Sequence, residues 1–515
     1  MSQNNKKIPR ASIWQLLPNN KEKVKFSLFF HYVLIILLMW LGLFFIFSTV
    51  PDNRYFIQTN LISIFGLGIY LGTVIMLIGI FLVKYEPTVI RTPQQLYLLC
   101  FLIFNGILIT RFTFPVNNFF TFIPAVVMLI TIFINIQVAA VTGIALVLSC
   151  ELLFYNNFLV TSMTLVSSIV AIFTVSKIRS RFELARAGIL LSLANIGVII
   201  IFSTLMLNSE NIILLNASKT PWVGLVNELI WGAISGIGSS IMAMGLLPYL
   251  EDLFGLTTVF KLLELSNPEQ PLLRQLLLKA VGTYHHSILV GNLAEAGAES
   301  INADRLLARV GAYYHDIGKI KRAHFFIENQ MGTNGQYHRF SSRLSSQVII
   351  GHVTEGLTLA QEYKLPPQIQ DIIRQHHGTS LISYFYHQAK YEEESEEIEE
   401  KDFRYPGPKP RSKESAIVML ADATEAAVRS LNKPTLELLE QTVQKIIQGR
   451  LEDGQLSECP ITLQELEKLN LTFTKILQGL YHPRIEYPDE ELEESDHEIG
   501  KKNISQQKIE IDLSE

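Results

Sequence analysis

The chain has 515 residues, 49% of them hydrophobic and only 18% charged, enough for two or three domains. Its net charge of −5 argues against a protein that grips nucleic acid polymers by bulk positive charge. Three scattered cysteines, Cys100, Cys150 and Cys459, offer neither a disulfide framework nor a thiolate metal motif, and packing accounts for them.

The average conceals a split near residue 250, with long uncharged stretches before it and ordinary charge after it. Lys6, Lys7, Arg10, Lys21, Lys23 and Lys25 make a basic N-terminus over 1–25. The apolar run Phe26–Thr49 that follows is too long for a signal-peptide core, lacks a small-residue cleavage site and reads as an uncleaved first span. Crossing the hydrocarbon core takes roughly 20 apolar residues in a helix. Leu61–Val83 and Thr92–Thr110 qualify; Phe112–Cys150 is uncharged but too long for one span, so "NIQ" at 135–137 should fold it into two. Leu152–Ser176, Ala187–Leu207 and Trp222–Leu250 complete eight spans, one followed by a bundle of seven over 61–250.

The basic N-terminus and the "KIRSRFELAR" loop (177–186) both fall inside on this count, and the "NSENIILLNASKTP" loop falls outside. The chain then returns to the cytoplasm near residue 250. Glu151 and Glu228 lie close to span ends, where a carboxylate costs little. No repeated halves or broken helix pairs are visible, which weakens a transporter reading.

Beyond the spans, "YLEDLFGLTTVFKLLELSNPEQPLLRQLLLKA" has helical apolar spacing broken at "NPEQP", a helical connector over 251–280. Short amphipathic helices punctuated by Gly and Pro continue to about 388, an all-α pattern. "YEEESEEIEEKD" (391–402) reads as a solvated, mobile insertion. "FRYPGPKPRSKE" reads as extended, "SAIVMLADATEAAVRSL" as helical, and the acidic tail from 484 as disordered. The fold class expected is therefore all-α: a multi-span membrane bundle followed by an all-helical cytoplasmic domain at 281–483.

Nine of the 12 histidines lie between 285 and 387, a density that scatter does not explain. His285 and His286 stand near a helix start in "GTYHHSILV". His315 and Asp316 close another helix in "VGAYYHDIGKIKR", where Gly318 is expected to stop it. His352 sits in "IIGHVTEG", and His376 and His377 in "IRQHHGTS". Neighbouring residues in a helix diverge by about 100°, so that last pair can converge only at a helix end before Gly378. Imidazole with carboxylate suits Mn, Fe or Zn rather than Ca.

The order His286, His315-Asp316, Asp422 in "MLADATEA" resembles the HD-domain metal-dependent phosphohydrolases. His352 and His376-His377 resemble the subset that holds two metals. "GTYHHS", "ARVGAYYHDIGK", "FFIENQ", "QHHGT" and "RYPGPKP" are similar to the seven-transmembrane HD proteins, which are membrane-bound phosphodiesterases of cyclic di-AMP. The resemblance covers roughly 60–480. It implies one divalent transition-metal ion, Mn or Fe, on His286, His315, Asp316 and Asp422, and a second on Asp316, His352, His376 and His377. His285 would pack or orient, and His324, His338 and His387 would be surface residues. It further implies hydrolysis of cyclic di-AMP to linear pApA at the plasma membrane, as a second-messenger enzyme, with a second copy of the chain as a candidate partner.

Three departures stand out. The family's large extracellular domain is replaced by "VPDNRYFIQTN" (50–60), "NGQYHRFSSRLS" (334–345) lacks the usual Asn-Pro-His-Asp, and Val281 stands where proline is common. Chemically, Asp316 between two cations would bring a shared water toward a pKa of ~7 for in-line attack on phosphorus. Lys319, one turn on, either meets a phosphate or is an ordinary surface lysine. Alternatives are an HD hydrolase of another cyclic dinucleotide or nucleotide, or a catalytically silent membrane nucleotide sensor.

Overall fold

In the computed structural model, residues 36–46, 61–153, 157–176, 178, 180–207, 221–330, 341–392, 398–431 and 434–480 are described. The basic N-terminus, the ends of the first span, the 50–60 connection, most of the 208–221 loop, residues 334–340 with His338, and the acidic tail lie outside them.

Among the described residues, nine helices make up the first half: α1 (Ile36–Ile46), α2 (Leu61–Tyr85), α3 (Pro87–Arg91), α4 (Pro93–Thr113), α5 (Ile123–Phe133), α6 (Ile136–Glu151), α7 (Phe158–Val175), α8 (Arg181–Leu207) and α9 (Pro221–Phe254). Of these, α2, α4, α7, α8 and α9 are long and apolar enough to cross a membrane, whereas α1, α5 and α6 are shorter apolar helices. The long uncharged stretch does divide, because Asn135 is fully extended and its side chain accepts from Val138 N, capping α6.

Large apolar side chains such as Phe65, Phe173 and Trp222 face outward, while Thr110, Ser168, Ser192 and Asn195 are buried. That inversion suits a lipid surround. Small residues let α8 and α9 touch: a Cβ on Gly236 would lie 2.4 Å from Ser192 N. Ser192 Oγ donates to Ala233 O at 2.7 Å and Asn195 Nδ2 to Gly232 O at 2.8 Å.

The exit from the bundle has a break that the apolar spacing did not reveal. Gly255 adopts φ +61 and ends α9, and Thr258 caps the next helix by accepting from Lys261 N at 3.4 Å. Its hydroxyl also donates to the buried Glu251 carboxylate. From there α10 (Val259–Leu265) and α11 (Pro271–Lys279) lead into α12 (Val281–Ser300), α13 (Arg305–Tyr314), a 3-10 helix (Ile317–Phe325), α14 (Ser342–Glu362), α15 (Pro367–Gln375), α16 (Ser383–Glu392), α17 (Lys413–Arg429), α18 (Leu436–Glu452) and α19 (Leu463–Leu480).

One apolar core runs from Leu43 to Phe260 and another from Leu262 to Leu477. The second is built on α12, α13 and α17, with Val290, Tyr314, Ile417 and Phe473 essentially inaccessible. Among the described residues there is no sheet, only one antiparallel bridge between Leu381 and Arg404. The acidic block at 391–402 is not wholly loose. Glu400–Phe403 form a 3-10 turn, and Phe403 is buried with Phe385, Tyr386 and Ala389.

Candidate metal centre

Each helix of the second core delivers its polar residues at a place the local sequence dictates. His286 enters from the second turn of α12, which starts afresh because Ala280 is non-helical at φ −140. Asp304 caps α13 through Leu307 N at 3.0 Å, and the helix ends at Tyr314, leaving His315 and Asp316 at its exit. Gly318 does not stop it by a left-handed turn, as the sequence suggested. The chain instead tightens into 3-10 geometry, with Lys319 N donating to Asp316 O at 3.0 Å. Gly318 is needed for close approach: a Cβ there would sit 1.8 Å from His352 O on α14. At the end of α15, His376 is the C-cap and Gly378 turns left-handed at φ +53, so both adjacent histidines face inward.

These elements bring all seven predicted ligands together. Asp316 Oδ2 lies 3.2 Å from His315 Nε2 and 3.8 Å from His286 Nε2. Its other oxygen lies 3.2 Å from His352 Nε2 and 3.8 Å from His376 Nε2. Two groups spaced to hold an ion share it: His286, His315 and Asp316, and Asp316, His352, His376 and His377. Asp422, from α17, falls in neither group by spacing but reaches across both. It lies 3.0 Å from His286 Nε2, 3.8 Å from His315 Nε2 and 3.7 Å from His377 Nδ1.

Tautomers decide what this cluster can hold. The Nδ1 atoms of His315, His352 and His376 each meet a backbone carbonyl three residues back, at 2.6, 2.5 and 2.8 Å. Each Nδ1 must therefore carry a proton and donate, which leaves Nε2 as the nitrogen turned toward the cluster. Yet His352 Nε2 and His376 Nε2 face each other at 3.3 Å. His315 Nε2 and Asp316 Oδ1 are buried with no hydrogen-bond partner. Acceptors that converge with no donor between them fit a cation.

Comparison with known proteins agrees with this geometry. Residues 61–258 match the family described as 7TM receptor with intracellular HD hydrolase, and residues 283–427 match the HD domain. The Cyclic-di-AMP phosphodiesterase PgpH of Bacillus subtilis (strain 168) is 40% identical over 381 residues, 72% of this chain and 52% of that protein. The chain belongs to the 7TM-HD family. PgpH of Listeria monocytogenes serotype 1/2a (strain 10403S) is 38% identical over 398 residues, 77% of this chain and 53% of that protein. This chain thus spans about half the length of the curated relatives it matches. The crystal structure of the L. monocytogenes PgpH HD domain in complex with Cyclic-di-AMP is 45% identical, covering 42% of this chain and 100% of that one, with TM-score 0.40. As a family member the chain is a multi-pass membrane protein with an intracellular HD domain.

Several residues of this family member's site were not singled out from sequence. Glu425 accepts from His286 Nδ1 and so turns its Nε2 toward the cluster; it lies three residues beyond Asp422 on the same helix face, a spacing that could have exposed it. Glu328, inside the "FFIENQ" stretch, meets Lys319 Nζ at 2.8 Å and Thr283 Oγ1 at 3.1 Å. Asn329 Oδ1 accepts from Thr283 N at 3.1 Å, fastening the start of α12. Tyr405 stacks on His377 with ring centroids 4.2 Å apart. Lys319 is no surface residue: its ammonium lies 2.7 Å from Asp316 Oδ2. His285, His324 and His387 are exposed and outside the cluster.

Electrostatics separate the two sides. Burial opposes ionisation of Asp316, but the charges of His315 and Lys319 hold its carboxyl well below the usual range. Burial opposes a second proton on His315, yet Asp316 and Asp422 raise it to about 10, so at Nε2 a proton and a cation compete for the same lone pair. Burial drives His376 down to about 3, helped by the charge of His315. Lys319, despite burial, is pushed upward by Asp316 and Glu328 and stays charged. The side chains of His286, His315, Asp316, His352 and His376 are at most 3% exposed, against 19% for His377, 13% for Asp422 and 14% for Lys319. The centre therefore opens on the side of those three.

Proposed function

We propose that this protein is a plasma-membrane phosphodiesterase that hydrolyses cyclic di-AMP to linear pApA on two divalent transition-metal ions, Mn or Fe. The observation that carries the reading is the single carboxylate of Asp316 set between two clusters of acceptor nitrogens. The names of the two PgpH relatives support the choice of substrate. In this reading His286, His315, Asp316 and Asp422 hold one ion, and Asp316, His352, His376 and His377 hold the other. The N-terminus and the HD domain lie on the cytoplasmic side.

When bound, the cations supply an acidified water for attack on phosphorus and offset charge on the non-bridging oxygens. The chain does the positioning. Backbone carbonyls lock three imidazoles, and Glu425 locks that of His286. Asp316 stays ionised at neutral pH because it is paired with Lys319. Lys319 keeps its proton on Nζ, which leaves one ammonium hydrogen beyond Asp316 and Glu328 for a phosphoryl oxygen.

The test is to load the purified full-length chain in lipid nanodiscs with Mn or Fe and identify products from cyclic di-AMP by mass spectrometry. Metal-dependent pApA formation is expected. No turnover with either metal overturns the reading, and preferential cleavage of cyclic di-GMP replaces the substrate while keeping the chemistry.

A further inference from the structure

The mouth of the metal centre is walled by the turn after α15, the "RYPGPKP" segment and the end of α18. Three sets of contacts tie them together. Arg404 makes a two-pronged pair with Asp453 at 2.9 and 3.1 Å. Gln455 Oε1 accepts from Thr379 N at 2.8 Å, and Lys409 Nζ donates to Gly454 O at 2.8 Å. The last turn of α18 is thereby held beside the His377–Gly378 turn, where Tyr405 covers the His377 ring.

Within that wall every other cation has a use: Arg404 on Asp453, Lys409 on a carbonyl, Arg411 on Glu458 at 3.0 Å. Arg450 does not. Three residues before Asp453 on α18 and only partly buried, its guanidinium makes no hydrogen bond or ion pair with any described residue. Its backbone carbonyl accepts from Gln455 N at 3.0 Å, and the Gln455 side chain holds Thr379, two residues from His377, which sets residue 450 beside the exposed edge of the cluster; Asp422, Asp453 and Tyr405 act on its charge there. Asp453 is already engaged by Arg404, and Asp422 by His286 at 3.0 Å. A half-buried guanidinium remains charged at any physiological pH and presents a planar fork of donors suited to phosphate.

We propose that Arg450 anchors the substrate's second phosphate, the one not being cleaved, at the mouth of the metal centre. This rests on the phosphodiesterase reading. The scissile phosphate belongs deep in the cluster, with Asp316 and Lys319. Arg450, partly buried and beyond ion-pair distance of Asp422, stands in the wall of the mouth, where the other half of a cyclic dinucleotide has to lie. The arginine thus distinguishes a two-phosphate ligand from a simple phosphodiester.

The experiment compares the full-length Mn-loaded protein with Arg450→Gln on two substrates, cyclic di-AMP and bis(p-nitrophenyl) phosphate, which has no second phosphate. The variant is expected to raise KM for cyclic di-AMP about tenfold or more, as loss of one charged hydrogen-bonding group does. Its kcat, metal content and turnover of the single-phosphate substrate should stay near wild type. An unchanged KM for cyclic di-AMP overturns the proposal, as does an equal loss on both substrates. If Arg450→Gln loses its metal, Arg450→Met, which keeps a long apolar stem, is read by the same two criteria. If the wild-type protein cleaves no cyclic dinucleotide, the phosphodiesterase reading falls on its own. The arginine is then judged by binding of pApA: weaker in the variant supports it, and equal affinity overturns it.

Discussion

Both halves of the molecule bury polar side chains, but they satisfy them at opposite ranges. In the membrane bundle most hydroxyls bond within their own helix. Thr110, Thr131, Thr142 and Thr164 each donate to the carbonyl four residues back. Lipid offers no alternative partner, so a local bond is the safe solution. In the HD domain the buried polar groups reach across the sequence instead: His286 meets residues 136 and 139 positions away. Such a cluster is costly when incomplete. It repays that cost only where converging lone pairs are of use, and this is why the proposed chemistry belongs to the second half.

The sharpest way to break the comparison is Asp316→Ala. It removes the one carboxylate shared by both ligand groups, so turnover of cyclic di-AMP should fall below detection and metal content should drop. Retained hydrolysis would mean that the long-range cluster is structural rather than reactive. Next in size is Glu425→Gln, which leaves the seven ligands in place but weakens the hold on His286 Nδ1. Loss of such an outer partner costs roughly 10–100-fold in metal affinity, readable by titration with a metal-competing dye.

Gly236→Ala tests the other half. The added methyl would press on Ser192 of α8, and overpacking of this kind costs about 1–3 kcal/mol. Thermal stability in detergent should fall while metal content and the proposed hydrolysis of cyclic di-AMP persist. A parallel loss of metal would show the two cores coupled through α9, Glu251 and the Thr258 cap.

How far the sequence could be read follows the same division of range. Helix existence depends on local apolar spacing, so the apolar helices and the break near residue 135 were visible. The ligand set was visible only because the order of His286, His315-Asp316, His352, His376-His377 and Asp422 resembles a known family; nothing in the spacing says which imidazole faces which carboxylate. What stayed hidden was relational. Gly318 looked like a helix stop, but its role is to let two backbones touch. Nothing in the sequence singles out Glu328 or Arg450, and only tertiary placement separates the paired one from the unpaired one. The stop at Gly255 sat inside an apolar pattern that spacing alone reads as continuous.

The smallest effect belongs to the pair that closes the mouth. Burial raises the Asp453 carboxyl, but hydrogen bonds from Arg404 and Gln455 outweigh it and hold the group below its usual value. A carboxylate with a depressed folded-state pKa contributes stability above its unfolded pKa of about 3.9 and loses it as pH falls through the lower folded value. The pair is partly exposed, with side chains 29% and 30% accessible, so its worth is about 0.2–1 kcal/mol, the range of surface ion pairs. Asp453→Asn should therefore lower the melting temperature of the HD domain slightly at pH 7, and the gap should close below about pH 4. A gap that is independent of pH would trace the effect to packing. A gap that disappears in high salt at pH 7 would assign it to charge, as expected for a pair in contact with water.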